Sequence, residues 1–351
     1  MLKISPDSRI YVYAPAGVVT GGAELLHQLV DFLNRNGRDA CILYLTEKYA
    51  VAADARVPDD YACYRIKTAV EVENSPKNVE VFYEADFHLA GRNSRTQKML
   101  WWLSVDNFFS CSRYFIPVRE LMGFSRRLAL KQLFHRLTGV AKGKRRGFPK
   151  FSLRKLAKTD VLSAYQSEYA QHFLKNKGFR EICALKDYIN TEHTAADALP
   201  AKENIVLYNP KKGFAFTKKI IARMPDVDFV AVANMNRAQV IDLMRRAKVY
   251  IDFGNHPGKD RMPRECAANG CVVITGSRGS AGFFEDVMIP NKYKFDERTA
   301  SLDDICGVIK ESLTDYDSAI GDFGMYRRMI MREKQEFENQ IRLIFNIPFT
   351  D

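Results

Sequence analysis

The chain has no C-x-x-C pair, no apolar run approaching the roughly 18–20 residues that cross a bilayer, and no internal repeat of fixed period. Its seven cysteines (Cys41, Cys63, Cys111, Cys183, Cys266, Cys271, Cys306) are odd in number, scattered and mostly inside apolar runs. That pattern argues against a disulfide framework or a zinc site and predicts reduced thiols. The N-terminal MLKISPDSRIYVYAP lacks the uninterrupted apolar core of a secretory signal, so the expected location is the cytosol, with the membrane surface as a possible station. No G-x-G-x-x-G follows the first strand, which disfavours a nicotinamide-type dinucleotide site. No D-x-D is placed to chelate a metal, and the adjacent Asp303 and Asp304 fall on a surface helix, so no metal and no other cofactor is expected.

What the chain does carry is charge in one place. Its 53 Lys and Arg against 42 Asp and Glu give a formal +11 over 351 residues. Twelve basic residues fall between Arg126 and Lys158 with no Asp or Glu among them, so taking those twelve from +11 leaves −1 for the remainder. The body is electrostatically ordinary, and the excess belongs to one segment. With 46% apolar residues the chain is not disordered, and at roughly 100–200 residues per domain its length predicts two domains, each with its own core.

Arg9–Ala14 (RIYVYA) reads as a strand. After a loop bearing Pro15, Gly17, Gly21 and Gly22, the residues Leu25, Leu26, Leu29, Val30 and Leu33 recur at helical spacing up to a stop at Gly37. Ala40–Leu45 is short and continuously apolar, as a strand covered on both faces should be. This βαβ unit predicts a doubly wound parallel sheet. Further strands are expected at Val79–Tyr83, Met99–Ser104, Asp160–Ala164 and Ile182–Leu185, with helices near Ile116–Met122 and over Glu168–Asn176. A second alternating set begins at Asn204, with strands at NIVLY, Asp228–Val232, Val249–Phe253 and Cys271–Thr275 and helices at Phe214–Met224, Arg237–Arg246 and Arg261–Asn269. The expectation is an α/β chain of two Rossmann-like domains, 1–195 and 203–315, divided near Glu192–Lys202 and followed by a helical tail over 316–351.

Four loops at strand ends carry the candidate chemistry. Thr20–Glu24 (TGGAE) places Gly21 and Gly22 before the first helix, where backbone N–H groups and the helix dipole favour anions. Tyr208–Gly213 (YNPKKG) places Lys211 and Lys212 where a parallel strand ends, suited to a diphosphate as compact point charges. Phe253–Ile274 is the richest, with His256, Lys259, Asp260, Arg261, Arg264 and Glu265 within ten positions, a density that turn chemistry alone does not require. Gly276–Asp286 (GSRGSAGFFED) offers Ser280 and Gly282 as phosphate donors and Glu285 or Asp286 as acceptors from sugar hydroxyls. In the first domain Asp86 and His88 (EADFH) and Asp106, just after Trp101 and Trp102, are the catalytic candidates. Ser167 reads as a helix cap, and the two tryptophans as core rather than sugar platforms.

The arrangement resembles the GT-B nucleotide-sugar glycosyltransferases, and within them the retaining glycosyltransferase family 4. Thr20–Glu24 matches the family's first glycine-rich loop, Lys211 or Lys212 its donor-diphosphate residue, and Arg264–Gly276 (RECAANGCVVITG) the second half of its E-x7-E motif and the strand beyond. The resemblance implies two domains facing a cleft, a C-terminal helix crossing back to the first domain, a ribose-binding role for Glu265, a donor-binding domain over 203–315 and retention of anomeric configuration. It also implies that Lys186–Asn190 (KDYIN) is the polar turn closing the first domain, near the crevice between the two. One departure stands out: Pro257 occupies the place of the motif's first acid, so the donor-sugar contact passes to Asp260 or His256. The implied partners are a nucleoside-diphosphate sugar and a glycan or lipid-linked acceptor, in surface-polysaccharide synthesis of a bacterial type.

The basic segment fits the same picture. Arg126–Leu137 (RRLALKQLFHRL) sets Leu130, Leu133, Phe134 and Leu137 on one helical face and Arg127, Lys131 and Arg136 largely around the other. With Lys144, Arg145 and Arg146 beyond it, it suits an anionic membrane surface, at about 1 kcal/mol per charge. Arg126, Arg127, Lys131, Lys144, Arg145 and Arg146 are therefore the membrane or acceptor candidates. A nucleic-acid-binding protein is the rival from another class, since Phe148 and Phe151 interleave the same charges, and a nucleotide-sugar epimerase is the rival of the same fold. The near-neutral body and the remote site-like loops weigh against nucleic acid.

Overall fold

The structure, a computed structural model, describes residues 1–111, 122, 125, 129–130, 133–134, 152–194 and 200–349. Arg126, Arg127, Lys131, Lys144, Arg145 and Arg146 lie outside them, as do most of the helices expected near Ile116–Met122 and over Arg126–Leu137. The chain divides into two compact units: Met1–Gln166 with Ala170–Leu185 and Asn339–Asp351, and Ser167–Tyr169 with Lys186–Glu338. The division at Leu185/Lys186 precedes the expected linker. Among the described residues no helix is long and apolar enough to cross a membrane, and Cys41, Cys63, Cys183, Cys266, Cys271 and Cys306 are free thiols.

The first unit holds a six-stranded parallel sheet of β1 (Arg9–Pro15), β2 (Asp39–Leu45), β3 (Val79–Tyr83), β4 (Gln97–Trp102), β5 (Leu162–Tyr165) and β6 (Ile182–Ala184), in the order β2-β1-β3-β4-β5-β6. The central β1 and the edge strand β2 are each buried along nearly their whole length, which is why Ile10–Ala14 and Ala40–Leu45 read as unbroken apolar runs. Helix α1 (Gly21–Arg35) buries Leu25, Leu26, Leu29, Val30 and Leu33, and the Thr20 hydroxyl caps it by accepting from the Ala23 N–H at 3.3 Å. Trp101 and Trp102 are core. Trp101 Nε1 donates to the Leu185 carbonyl at 2.8 Å, and Trp102 packs among Phe108, Phe173 and Phe179. A short helix α2 (Val105–Cys111) follows β4 directly, a feature the sequence pattern did not reveal. Arg342 fastens the C-terminal helix onto α1, donating to Asn36 at 3.0 Å and lying over the Phe32 ring.

The second unit repeats the topology. Strands β7 (Glu203–Tyr208), β8 (Asp228–Ala231), β9 (Ala247–Asp252), β11 (Val272–Gly276) and β13 (Lys294–Phe295) run parallel in the order β13-β11-β9-β7-β8. A separate two-stranded ladder, β10 (Asn255–His256) with β12 (Arg278–Gly279), ties the loops after β9 and β11 together. Helices α3 (Leu153–Leu156) and, from Ala170 on, α4 (Glu168–Asn176) belong to the first unit, whereas α5 (Phe214–Arg223), α6 (Arg237–Arg246) and α7 (Arg261–Ala268) alternate with the second unit's strands. Helices α8 (Leu302–Thr314), α9 (Tyr316–Gly321) and α10 (Gly324–Ile344) close the chain, and α10 runs from residues of the second unit into residues of the first.

Each sheet therefore changes direction between its first and third strands, β1/β3 and β7/β9. In open α/β sheets ligands bind beyond the carboxyl ends of the strands at that switch. The loops singled out in the sequence after β1, β3, β7 and β9 all sit there.

Candidate functional site

In the second unit the switch point is built by backbone packing. Gly213 has φ +55°, and a Cβ on it would fall 1.3 Å from the Phe253 carbonyl oxygen, so only glycine lets the loop after β7 lie against the loop after β9. That contact brings Lys212 onto Asp260, to whose Oδ2 its ammonium donates, while Lys211 stays exposed. His256 Nδ1 stands 2.7 Å from the same Asp260 oxygen, and its Nε2 stands 3.8 Å from Asp252 Oδ1. The other Asp252 oxygen accepts from the Tyr250 hydroxyl at 2.7 Å. A chain of ionisable groups thus runs from the buried middle of β9 to the partly exposed Lys212.

Electrostatics along this chain alternate. Burial opposes the His256 charge, but the Asp260 hydrogen bond and the two carboxylates outweigh it, so the ring holds its proton above the ordinary imidazole value. Burial also works against ionised Asp260, yet His256 and Lys212 hold its carboxyl below the usual carboxylate range. At Asp252 burial prevails and pushes the carboxyl up. The three side chains Asp252, His256 and Asp260 bring ligand-type atoms within 4.8 Å of one another. A metal takes one imidazole nitrogen, however, whereas the two carboxylates approach opposite nitrogens and Lys212 already holds Asp260; the set suits a proton and an ammonium better than a divalent ion.

Beneath the loop lies a second charged cluster. Arg264, fully buried, pairs with Asp187 and with Glu333 at 2.8 Å each and donates to the carbonyls of Lys259 (2.9 Å) and Asp260 (3.2 Å). Lys259 pairs with Glu333 at 2.8 Å and Arg261 approaches Asp187 at 3.5 Å. Burial would raise the Asp187 carboxyl, but Arg264, Arg261 and Lys259 bring it below the ordinary value. Lys259 and Arg261 are thus engaged in the support of the loop rather than standing alone in it. Asp187, from the KDYIN turn, and Glu333, on α10, are two residues that sequence reasoning did not single out. The sequence carries little signal for either, because Asp187 follows Lys186 and Glu333 stands between Arg332 and Lys334, as solvated acids would.

The remaining donor-side candidates are placed as follows. Ser280, buried, donates its hydroxyl to the Gly258 carbonyl at 2.6 Å, and Gly282 turns tightly against the Ser277 carbonyl. Glu265, on α7, faces His193 Nε2 at 3.7 Å, and burial lowers the pKa of that imidazole. Asp286 accepts from the backbone N–H groups of Glu168 (2.9 Å) and Tyr169 (3.1 Å) at the start of α4.

In the first unit Gly21 and Gly22 follow β1, and Asp86 and His88 follow β3, so all four flank the β1/β3 switch, while Asp106 opens α2 after β4. A side chain at Gly22 would meet only Leu103, at 3.8 Å, so sterics do not demand glycine there. Asp86 is buried, one of its oxygens has no hydrogen-bond partner, and burial pushes its pKa up to about 7 against the Tyr83 hydrogen bond. His88 packs edge-on against Tyr49 at 4.4 Å. Glu84, missed in the sequence, is buried, accepts from the Leu103 N–H at 3.0 Å, and is pushed up to about 8 by burial.

This double architecture is similar to solved structures along nearly the whole chain. OtsA aligns with a TM-score of 0.59 at 10% identity over 98% of this chain and 100% of its own. HepE of Anabaena, solved in complex with UDP-glucose, aligns with a TM-score of 0.58 at 9% identity over 96% of this chain and 99% of its own. The fold is GT-B. TarM shares it with a TM-score of 0.51 at 10% identity over 78% of this chain, which spans 56% of TarM's length. No protein-family model and no curated protein matches the chain. Within the GT-B fold, Lys212, His256 and Asp260 belong to the second sheet's switch point and Asp86 and His88 to the first sheet's.

Proposed function

We propose that the chain is a glycosyltransferase that moves a sugar from a nucleoside-diphosphate sugar to a glycan or lipid-linked acceptor with retention, in surface-polysaccharide synthesis of a bacterial type. The observation that carries the reading is the β7/β9 switch point, where Lys212 is delivered by the Gly213 contact to the place where α/β sheets bind anions. HepE, of the same fold, was solved with UDP-glucose, and the OtsA studies describe glycosyl transfer with retention by trehalose-6-phosphate synthase. Lys212, the N-terminus of α7 and the loop with Ser280 and Gly282 stabilise charge developing on the departing nucleoside diphosphate, an electrostatic effect that is usually the largest catalytic term. Glu265 holds the ribose, and Asp86, with His88 and Asp106 near it in sequence order, serves the acceptor hydroxyl; a carboxyl poised near neutrality suits that proton transfer. No metal or redox cofactor enters this scheme. The basic segment 126–158 keeps the enzyme at an anionic membrane surface on the cytoplasmic side.

The test is a thermal-shift screen of UDP, GDP and ADP and of their sugars, followed by transfer to added acceptors. Stabilisation by a nucleoside diphosphate, lost in Glu265→Ala and Lys212→Ala, is the expected result. Turnover of the donor with no transfer to any acceptor favours the epimerase reading. Salt-sensitive RNA or DNA binding with no nucleotide effect overturns both.

A further inference from the structure

We propose that His256 is a positioning residue for the donor diphosphate, whose doubly protonated ring neutralises Asp260 and so leaves the Lys212 ammonium free to bind phosphate. The inference rests on the function proposed above and names how that site is controlled.

The ring is fully buried, so it cannot touch a ligand itself. Nor is its side chain needed to hold the loop. The β10/β12 ladder already clamps the His256 backbone, and Gly279, at φ +66°, lies so close that a Cβ would sit 2.0 Å from the His256 carbonyl oxygen. What the ring does is stand between two carboxylates, Asp260 at Nδ1 and Asp252 on the Nε2 side. A neutral imidazole donates from one nitrogen only, so one carboxylate would then face a lone pair. The other groups facing the ring are Tyr250, which satisfies one Asp252 oxygen, and Lys212, which shares Asp260 Oδ2. Arg278, on the neighbouring β12, turns instead to Glu297 at 3.2 Å.

The charge count decides the consequence. With the ring protonated, both His256 and Lys212 face Asp260 as cations, and the Asp252 carboxyl lies on the far side of the ring. An incoming diphosphate can then draw on the Lys212 charge, because His256 still satisfies Asp260. Once the ring loses its proton, Lys212 is the cation left paired with Asp260 among the described residues, and the ammonium is spent inside the protein. The His256 value is raised above that of an ordinary imidazole by the two carboxylates, so phosphate binding is strong below it and weakens as pH rises through it.

Isothermal titration of UDP, GDP and ADP into the full chain from about pH 6 to about pH 9 tests this, alongside His256→Gln and Asp260→Asn. The wild type is expected to lose about tenfold in affinity as pH rises across that range, the scale of one charge-assisted hydrogen bond. His256→Gln is expected to bind about tenfold more weakly near neutrality, with that decline gone. Nitrogen chemical shifts of the ring supply a second readout that needs neither ligand nor variant, and they decide the matter if His256→Gln does not fold. Both ring nitrogens protonated near neutrality is the expected outcome. A neutral ring there, or equal affinities and pH profiles for wild type and His256→Gln, overturns the inference while leaving the transferase reading intact. Absence of binding by all three nucleotides to the wild type overturns the transferase reading, and this inference with it.

Discussion

Replacing Arg264 by methionine removes a buried cation of similar bulk and leaves its partners behind. Asp187 keeps Arg261, at 3.5 Å, and Glu333 keeps Lys259, at 2.8 Å, while the carbonyls of Lys259 and Asp260 each lose a donor. Breaking a buried ion pair by removing one partner costs about 3–5 kcal/mol. The two surviving pairs place Arg264→Met at the lower end, about 3 kcal/mol, and at about 2–4 °C per kcal/mol this is a fall of roughly 6–12 °C in the melting of the second unit. The deficit has a pH signature. Asp187 has its carboxyl held below the ordinary value, so its pairing contributes stability above the unfolded-state value that is lost as pH falls through the folded one. Wild type and variant should therefore differ fully at neutral pH and converge in acid. Differential scanning calorimetry over a pH series reads both. A fall under about 2 °C, or a deficit indifferent to pH, would refute the claim that Arg264 is the keystone under the β9–α7 loop.

Four further outcomes follow from the same geometry. Gly213→Ala forces a Cβ into the Phe253 carbonyl and should abolish nucleotide binding while costing at least about 1–2 kcal/mol from its left-handed backbone alone, measured by calorimetry and chemical denaturation. Asp86→Asn should lower kcat by about 10²–10⁴ and remove the rise of rate with pH near about 7, since the carboxyl accepts a proton only when ionised. Trp102→Ala should destabilise the first unit by about 3–5 kcal/mol, through its lost contacts with Phe108, Phe173 and Phe179, while nucleotide affinity in the second unit is unchanged. Deleting residues 126–158 should end binding to anionic vesicles; vesicle binding that survives the deletion means the basic segment is not the anchor.

Much of the fold was legible because a doubly wound sheet writes its strands as short unbroken apolar runs. Val79–Tyr83, Glu168–Asn176 and Arg237–Arg246 lie where their patterns place them. Strand ends moved by a residue or two, as at β9, where Ala247 joins the ladder and Phe253 turns out of it. Helix α2 was hidden because VDNFFSC is too short to show a period, and β10, β12 and β13 because two residues carry no pattern at all. The candidate site was legible as a dense loop but not as a constellation. Composition alone cannot say that Lys212 meets Asp260 and Lys211 does not, because that choice is made by the Gly213–Phe253 contact between loops some forty residues apart. Arg264 read as a site residue is instead the buried partner of Asp187 and Glu333, acids drawn from two distant segments that only the chain's path brings together.

The central claim is that the second sheet's switch point holds a nucleoside diphosphate. Amide chemical-shift mapping during titration with UDP, GDP or ADP tests it most directly. The account predicts shifts concentrated at residues 209–213, 254–261 and 277–282 and abolished in Lys212→Ala; shifts confined to the first unit, or none with any of the three, would contradict it.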